Sequence, residues 1–122
     1  MSNLSINNRQ VDGVTIVDLE GKIALGESNT ALHQSLKQLV ADGKKQVVLN
    51  LANVTGIDSS GLGSIVAGYS TLQSADGALK LANLSDRIAD IMTITKLYTV
   101  FDIYENEADA VKSFGGAGAA GA

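Results

Sequence analysis

Gln46-Val47-Val48-Leu49-Asn50-Leu51, followed by Thr55-Gly56-Ile57-Asp58-Ser59-Ser60-Gly61-Leu62-Gly63, is the stretch that decides how this chain folds. The first part is a nearly continuous apolar run of strand length, which suits a strand covered on both faces. The second part is a polar turn carrying glycine. Beyond it Leu62, Ile65, Val66, Tyr69 and Leu72 recur at helical spacing, and Gly77 closes that helix. A buried strand that passes through a short turn into a helix is the repeating step of a sheet with helices packed against it.

Upstream, Leu4 and Ile6 alternate with polar residues as in a half-buried strand. Asp12-Gly13 lies between Val11 and Val14 and predicts a tight hairpin, because glycine takes a positive φ without steric cost. Val14–Leu19 is the return strand, and Gly21 and Gly26 bracket Lys22–Leu25 as a short third strand. A first helix opens at Glu27 with Ser28 as its candidate cap, and carries Leu32, Leu36, Leu39 and Val40. Gly43 stands at its C-terminal cap position, and Lys44 and Lys45 suit the negative end of its dipole.

Downstream, Ala78–Ala82 reads as a strand. Ser85 can cap a third helix bearing Ile88, Ile91 and Met92. Phe101–Tyr104 is a last strand, and Asn106 can cap a last helix with Ala110, Val111 and Phe114. From Gly115 the chain is only Gly and Ala and reads as a flexible tail. The expectation is therefore an α/β domain over residues 1–114, built on a mixed sheet, and a tail over 115–122. The 122 residues suffice for one domain. With 45% hydrophobic and only 4% aromatic residues, and no Trp, the core must be built from Leu, Ile, Val and Ala.

Composition narrows the function. The net charge is −4, from 13 acids and 9 bases, with no basic stripe for nucleic acid. The absence of cysteine excludes disulfides and thiolate metal sites and fits a reducing compartment. The N-terminus, Met1 to Gln10, has no positive region followed by an apolar run. The longest uncharged stretch, Ser59 to Ala75, is too short and too rich in Ser, Thr and Gly to span a bilayer. A cytoplasmic protein without membrane insertion is expected.

Catalysis finds no support. The hydrolase elbow needs Gly-x-Ser-x-Gly, but Asp58 lies two before Ser60 and Leu62 two before Ser64. The one histidine, His33, is expected to face solvent in the first helix. The acids Asp86, Asp90, Asp102, Glu105, Glu107 and Asp109 read as caps and solvated surface. Neither metal nor cofactor is expected. A phosphate-cradling loop would place Lys next to Ser or Thr after its last glycine, whereas Gly63 precedes Ser64 and Ile65. A weak nucleotide-binding module stays as an alternative on the strand–turn–helix order alone.

Three features converge on Asp58–Gly63. Asp and Ser make good N-caps. A helix N-terminus offers free N–H donors and the positive end of a dipole, which tolerate an anion. Gly61 and Gly63 leave the first turn small, and the following surface carries Gly63, Ser64, Ala67 and Gly68 without charge, so a partner protein can approach closely. The same residues read equally as a plain helix cap on a buried helix. The chemistry marks a good modification or docking site without choosing between these.

The segment Asp58-Ser59-Ser60-Gly61-Leu62-Gly63 resembles the signature of STAS domains, and more narrowly of bacterial anti-sigma factor antagonists. The resemblance extends through Val14–Ile23, Val47–Leu51 and Ile94–Leu97 with Phe101. It implies a sheet of about four or five strands with helices mainly on one face. It implies that Ser60 accepts phosphate, that Asp58 positions it and helps recognition, and that Ser59 is the neighbouring serine. It also implies a docking surface over Asp58, Ser59, Ser60, Gly61, Leu62 and Gly63. The implied partners are an anti-sigma factor that is also a serine protein kinase and a PP2C-type phosphatase that removes the phosphate. The unphosphorylated antagonist would bind the kinase and free a sigma factor. STAS domains also occur in stressosome scaffolds, anion-transporter tails and lipid-transport complexes. An adaptor of another complex, with Ser60 only a cap, is the alternative the resemblance leaves.

Overall fold

The computed structural model describes residues 4–23 and 27–114. Among them β1 (Leu4–Val11), β2 (Val14–Ile23), β3 (Gln46–Ile57), β4 (Ala78–Ala82) and β5 (Asp102–Tyr104) form one sheet in that spatial order. β1 pairs antiparallel with β2, and β2 through β5 run parallel. The hairpin turns where expected, with Asp12 at φ 50° and Gly13 at φ 82° and Val11 opposite Val14. Two successive positive φ values give the turn whose twist matches that of the strands it joins.

Parallel neighbours need crossovers, here α1 (Glu27–Ala41), α2 (Ser59–Ser74) and α3 (Asp86–Ile94). Because the strand order follows the chain and such crossovers are right-handed, all three fall on one face. There Leu32, Leu36, Leu39, Ile65, Leu72, Ile88 and Met92 meet Val17, Leu19, Val47, Leu49, Leu51, Leu79 and Leu81 in the main core. Tyr69 of α2 packs edge-on against Phe101, with centroids 5.5 Å apart, and so fastens the short 3-10 turn at Leu97–Thr99 to the core.

The opposite face carries one short helix, α4 (Glu107–Lys112), whose Ala110 and Val111 cover Val14, Ile16, Val48 and Ala82. Polar clasps hold α4 at both ends. Arg9 of β1 pairs with Asp18 of β2, its Nε donating at 2.6 Å, and with Glu107 of α4. Asn50 donates to Asp18 Oδ1 at 2.8 Å, and Asn83 donates to Asn50 Oδ1 at 2.9 Å. At the other end the buried Lys80 donates to Ser113 Oγ at 2.9 Å and lies 4.5 Å from the Phe114 ring centre. The Arg9 guanidinium holds the Asp18 carboxyl below the ordinary carboxylate range, with help from Asn50 and against the opposing effect of partial burial.

Several expectations are corrected. Lys22 and Ile23 do not begin a third strand. They continue β2 past register shifts between Asp18 and Glu20 and between Gly21 and Lys22, with Gly21 at φ 110°. β3 runs six residues beyond Leu51, to Ile57, because the far end of β2 pairs with it: Glu20 faces Asn53 and Ile23 faces Ile57. The left-handed residue that ends α2 is Asp76 (φ 64°), not Gly77. Gly77 is needed because a Cβ there would run into the Lys45 carbonyl. Gly43, at φ 79°, does end α1, with Lys44 N–H donating to Leu39 O at 2.8 Å. Ser85 and Asn106 cap α3 and α4 as read. Glu107 is an ion-pair partner rather than a solvated cap, and His33 is half-buried. Residues 24–26, which hold the Leu25 and Gly26 end of the expected third strand, the side chain of Ser28, and the tail from Gly115 lie outside the described residues.

Candidate functional site

The Asp58–Gly63 turn sits where β3 ends and α2 begins, at the carboxyl ends of the parallel strands. Asp58 is the N-cap. Its backbone is extended (φ −105°, ψ −176°) and its Oδ1 accepts from Gly61 N–H at 2.8 Å. That bond satisfies one of the four donors a helix start leaves open. The Asp58 N–H donates to Ile23 O at 3.3 Å, and its carbonyl accepts from Leu62 N–H at 2.9 Å, so the cap ties the end of β2 to the first turn of α2.

With Asp58 as cap, Ser59 and Ser60 are the first two helical residues. Ser59 is exposed and Ser60 half-buried. No intrahelical carbonyl precedes their N–H groups, so these are left as open donors at the positive end of the helix. A covalently attached anion at Ser60 would meet favourable partial charge from its own helix.

The glycines divide into two kinds. Gly61 is buried, and a Cβ there would overlap Ile23 O and stand 2.8 Å from Ile57 Cγ1. Its smallness is required by its own chain and does not open the turn to a partner. Gly63 is exposed with nothing within 4 Å of a Cβ, so its backbone lies bare at the surface. Further along α2, Gly68 packs on Leu36 of α1 and Ser64 is buried, so neither belongs to the outer surface expected of them. What faces outward at the helix start is Asp58, Ser59, Ser60 and Gly63, with Leu62 half-buried behind them.

Beside the cap lies a cleft of about 410 Å³ between the ends of β2 and β3 and the start of α3, lined by Lys22, Ile57, Asp58, Arg87 and Ile91 among others. No pattern of adjacent residues announces it, because Lys22 and Arg87 are brought together only by the topology. A second cleft, of about 400 Å³, lies between α3 and β5, lined by Leu84, Met92, Tyr98 and Ile103, and no residue of the turn lines it. Exposed apolar side chains cluster along the same segment: Ile94 is 79% exposed and Tyr98 54%.

A hairpin-led mixed sheet with crossover helices on one face, and a capped, serine-bearing helix start at the strand ends, makes a small α/β domain. The chain belongs to the STAS domain family, whose profile matches residues 5–110. It is 31% identical over 101 residues to an anti-sigma-B factor antagonist of Bacillus subtilis, covering 83% of this chain and 91% of that one. Its fold superposes on an anti-sigma factor antagonist from Mycobacterium paratuberculosis with a TM-score of 0.78 at 23% identity, over 90% of this chain and 92% of that one. It superposes on the phosphorylated form of the Bacillus protein SpoIIAA with a TM-score of 0.68 at 15% identity, over 89% of this chain and 98% of that one. The five-stranded mixed sheet with helices mainly on one face is thus the fold expected of the family. No helix among the described residues is long and apolar enough to cross a membrane.

Proposed function

We propose that this chain is an anti-sigma factor antagonist that binds a serine-kinase anti-sigma factor when Ser60 is unmodified and lets go when Ser60 carries phosphate. A PP2C-type phosphatase reverses the modification, and the protein acts in the cytoplasm. The observation that carries the reading is the Asp58-capped start of α2, which presents Ser60 at a helix N-terminus in a domain whose relatives are named as antagonists.

The chemistry of the switch follows from that position. Phosphorylation adds about −1.5 to −2 charges at Ser60. The helix dipole and free N–H groups stabilise such a charge by roughly 0.3–1 kcal/mol, so the fold need not change. A docked partner, in contrast, would meet a bulky anion beside Asp58 on a chain that already carries net charge −4. Each ~1.4 kcal/mol of lost contact or repulsion weakens binding tenfold. One phosphate can therefore release a complex without rearranging either protein.

The test is peptide mass spectrometry of the protein isolated from its own cells, in the wild type and in Ser60→Ala. One phosphate mapping to Ser60 and absent from the variant is expected. A protein that stays unmodified through every growth phase would leave Ser60 as an ordinary first-turn residue behind the Asp58 cap, and the chain as a constitutive adaptor.

A further inference from the structure

The cleft beside Asp58 contains two cations that the turn does not use. Lys22 reaches it from the end of β2, and Arg87 from the first turn of α3, while Ile57 and Ile91 contribute apolar lining. Lys22 stands opposite Gly56 in the sheet, and a Cβ on Gly56 would lie 3.8 Å from Lys22 Cγ, so the lysine stem runs across the strand at the glycine. Both side chains are exposed, and neither has an ion-pair partner among the described residues. Two cations of the opposite face are held differently. Arg9 is held by Asp18 and Glu107, and Lys80 by Ser113. In an acidic chain with 9 bases, two that pair with no described residue converge on a single cleft that shares Asp58 with the docking turn.

We propose that this cleft receives a carboxylate-bearing segment of the partner protein, with Arg87 and Lys22 as its specificity-determining residues. The inference rests on the reading of the Asp58–Gly63 turn as a partner-docking surface and identifies the chemistry the partner must bring there. The guanidinium of Arg87 presents paired donors that match a carboxylate, and the Lys22 ammonium adds a point charge. The apolar lining suits the aliphatic part of a Glu or Asp side chain and its neighbours. Ile94, 79% exposed and three residues beyond Ile91 on α3, continues the contact outward. The arrangement also sharpens the switch. A phosphoryl group on Ser60 would place like charge beside the carboxylate that the cleft is built to accept.

The test uses the full chain with Lys22→Glu and Arg87→Glu, singly and together. Each is titrated unphosphorylated against the purified serine-kinase anti-sigma factor of the same genome at low and high salt. The double reversal should weaken binding tenfold or more. The loss should fall mainly on the association rate, and the salt dependence of the wild type should reverse, with added salt helping the variant bind. Both residues are exposed, so the melting temperature should stay put. Wild-type binding with an unaffected double variant would overturn the cleft assignment while leaving the turn reading intact. Failure of the unphosphorylated wild type to bind would remove the turn reading, and this one with it. Unchanged binding together with a shifted ³¹P titration of the Ser60-phosphorylated variant would assign the two cations to the phosphoryl group instead.

Discussion

Gly61 and Gly63 sit two residues apart in the first turn of α2 and answer to opposite demands. A methyl at Gly61 would be driven into the Ile23 carbonyl and stand 2.8 Å from Ile57 Cγ1, backbone and core that cannot swing aside. Gly61→Ala should therefore cost about 1–3 kcal/mol, the usual penalty of overpacking, read as a lower urea midpoint. A methyl at Gly63 meets nothing within 4 Å. Gly63→Ala should raise stability by about 0.5–1 kcal/mol through helix propensity. Its cost should appear only in partner binding, where the added methyl fills the approach. Equal urea midpoints for the two variants would contradict this division. Asp58→Ala should lose about 1 kcal/mol through the vacated cap, measurable in the same titration. The Asp-Ser-Ser-Gly motif itself was legible in the sequence, because capping is local chemistry written in adjacent residues. The inward turn of Gly61 was not, because what it avoids is the end of β2, 38 residues earlier in the chain (61 − 23).

At the scale of elements, the short α4 is kept on the sheet by the Arg9–Asp18–Glu107 clasp at one end and by Lys80 at the other. The folded state lowers the Asp18 pKa, chiefly through the Arg9 hydrogen bond. A lowered carboxylate pKa means that the unfolded chain binds more protons. Its stabilising contribution is present above the unfolded value of about 3.9 and is lost as pH falls through the folded value. Asp18→Asn should remove that part of the acid dependence, so that wild type and variant converge in melting temperature towards low pH and diverge near neutrality. A constant gap at all pH values would contradict it.

None of this clasp could be read in advance, since Arg9 and Glu107 are separated by 98 positions and periodicity reports only neighbours. What periodicity could read, it read well. Leu32, Leu36 and Leu39 are buried on α1, and Val47, Leu49 and Leu51 are buried on the helix-covered face of β3. It failed at Ala52–Ile57, where Asn53, Thr55 and Gly56 interrupt the apolar run although β2 still pairs alongside.

For the molecule as a whole, the strand order follows the chain, so the crossover helices share one face and the starts of α2 and α3 come together at one end of the sheet. That placement turns a local serine motif into a surface with an anion-tolerant helix start, an exposed glycine and a cationic cleft. Phosphate on Ser60 is proposed to decide whether this surface holds its partner. The most direct measurement is calorimetric titration of the purified serine-kinase anti-sigma factor with the unmodified protein and with the protein phosphorylated at Ser60. A saturable complex with the unmodified form and at least a tenfold weaker one with the phosphorylated form are expected, with far-ultraviolet circular dichroism the same for both. Equal affinity for the two forms would contradict it.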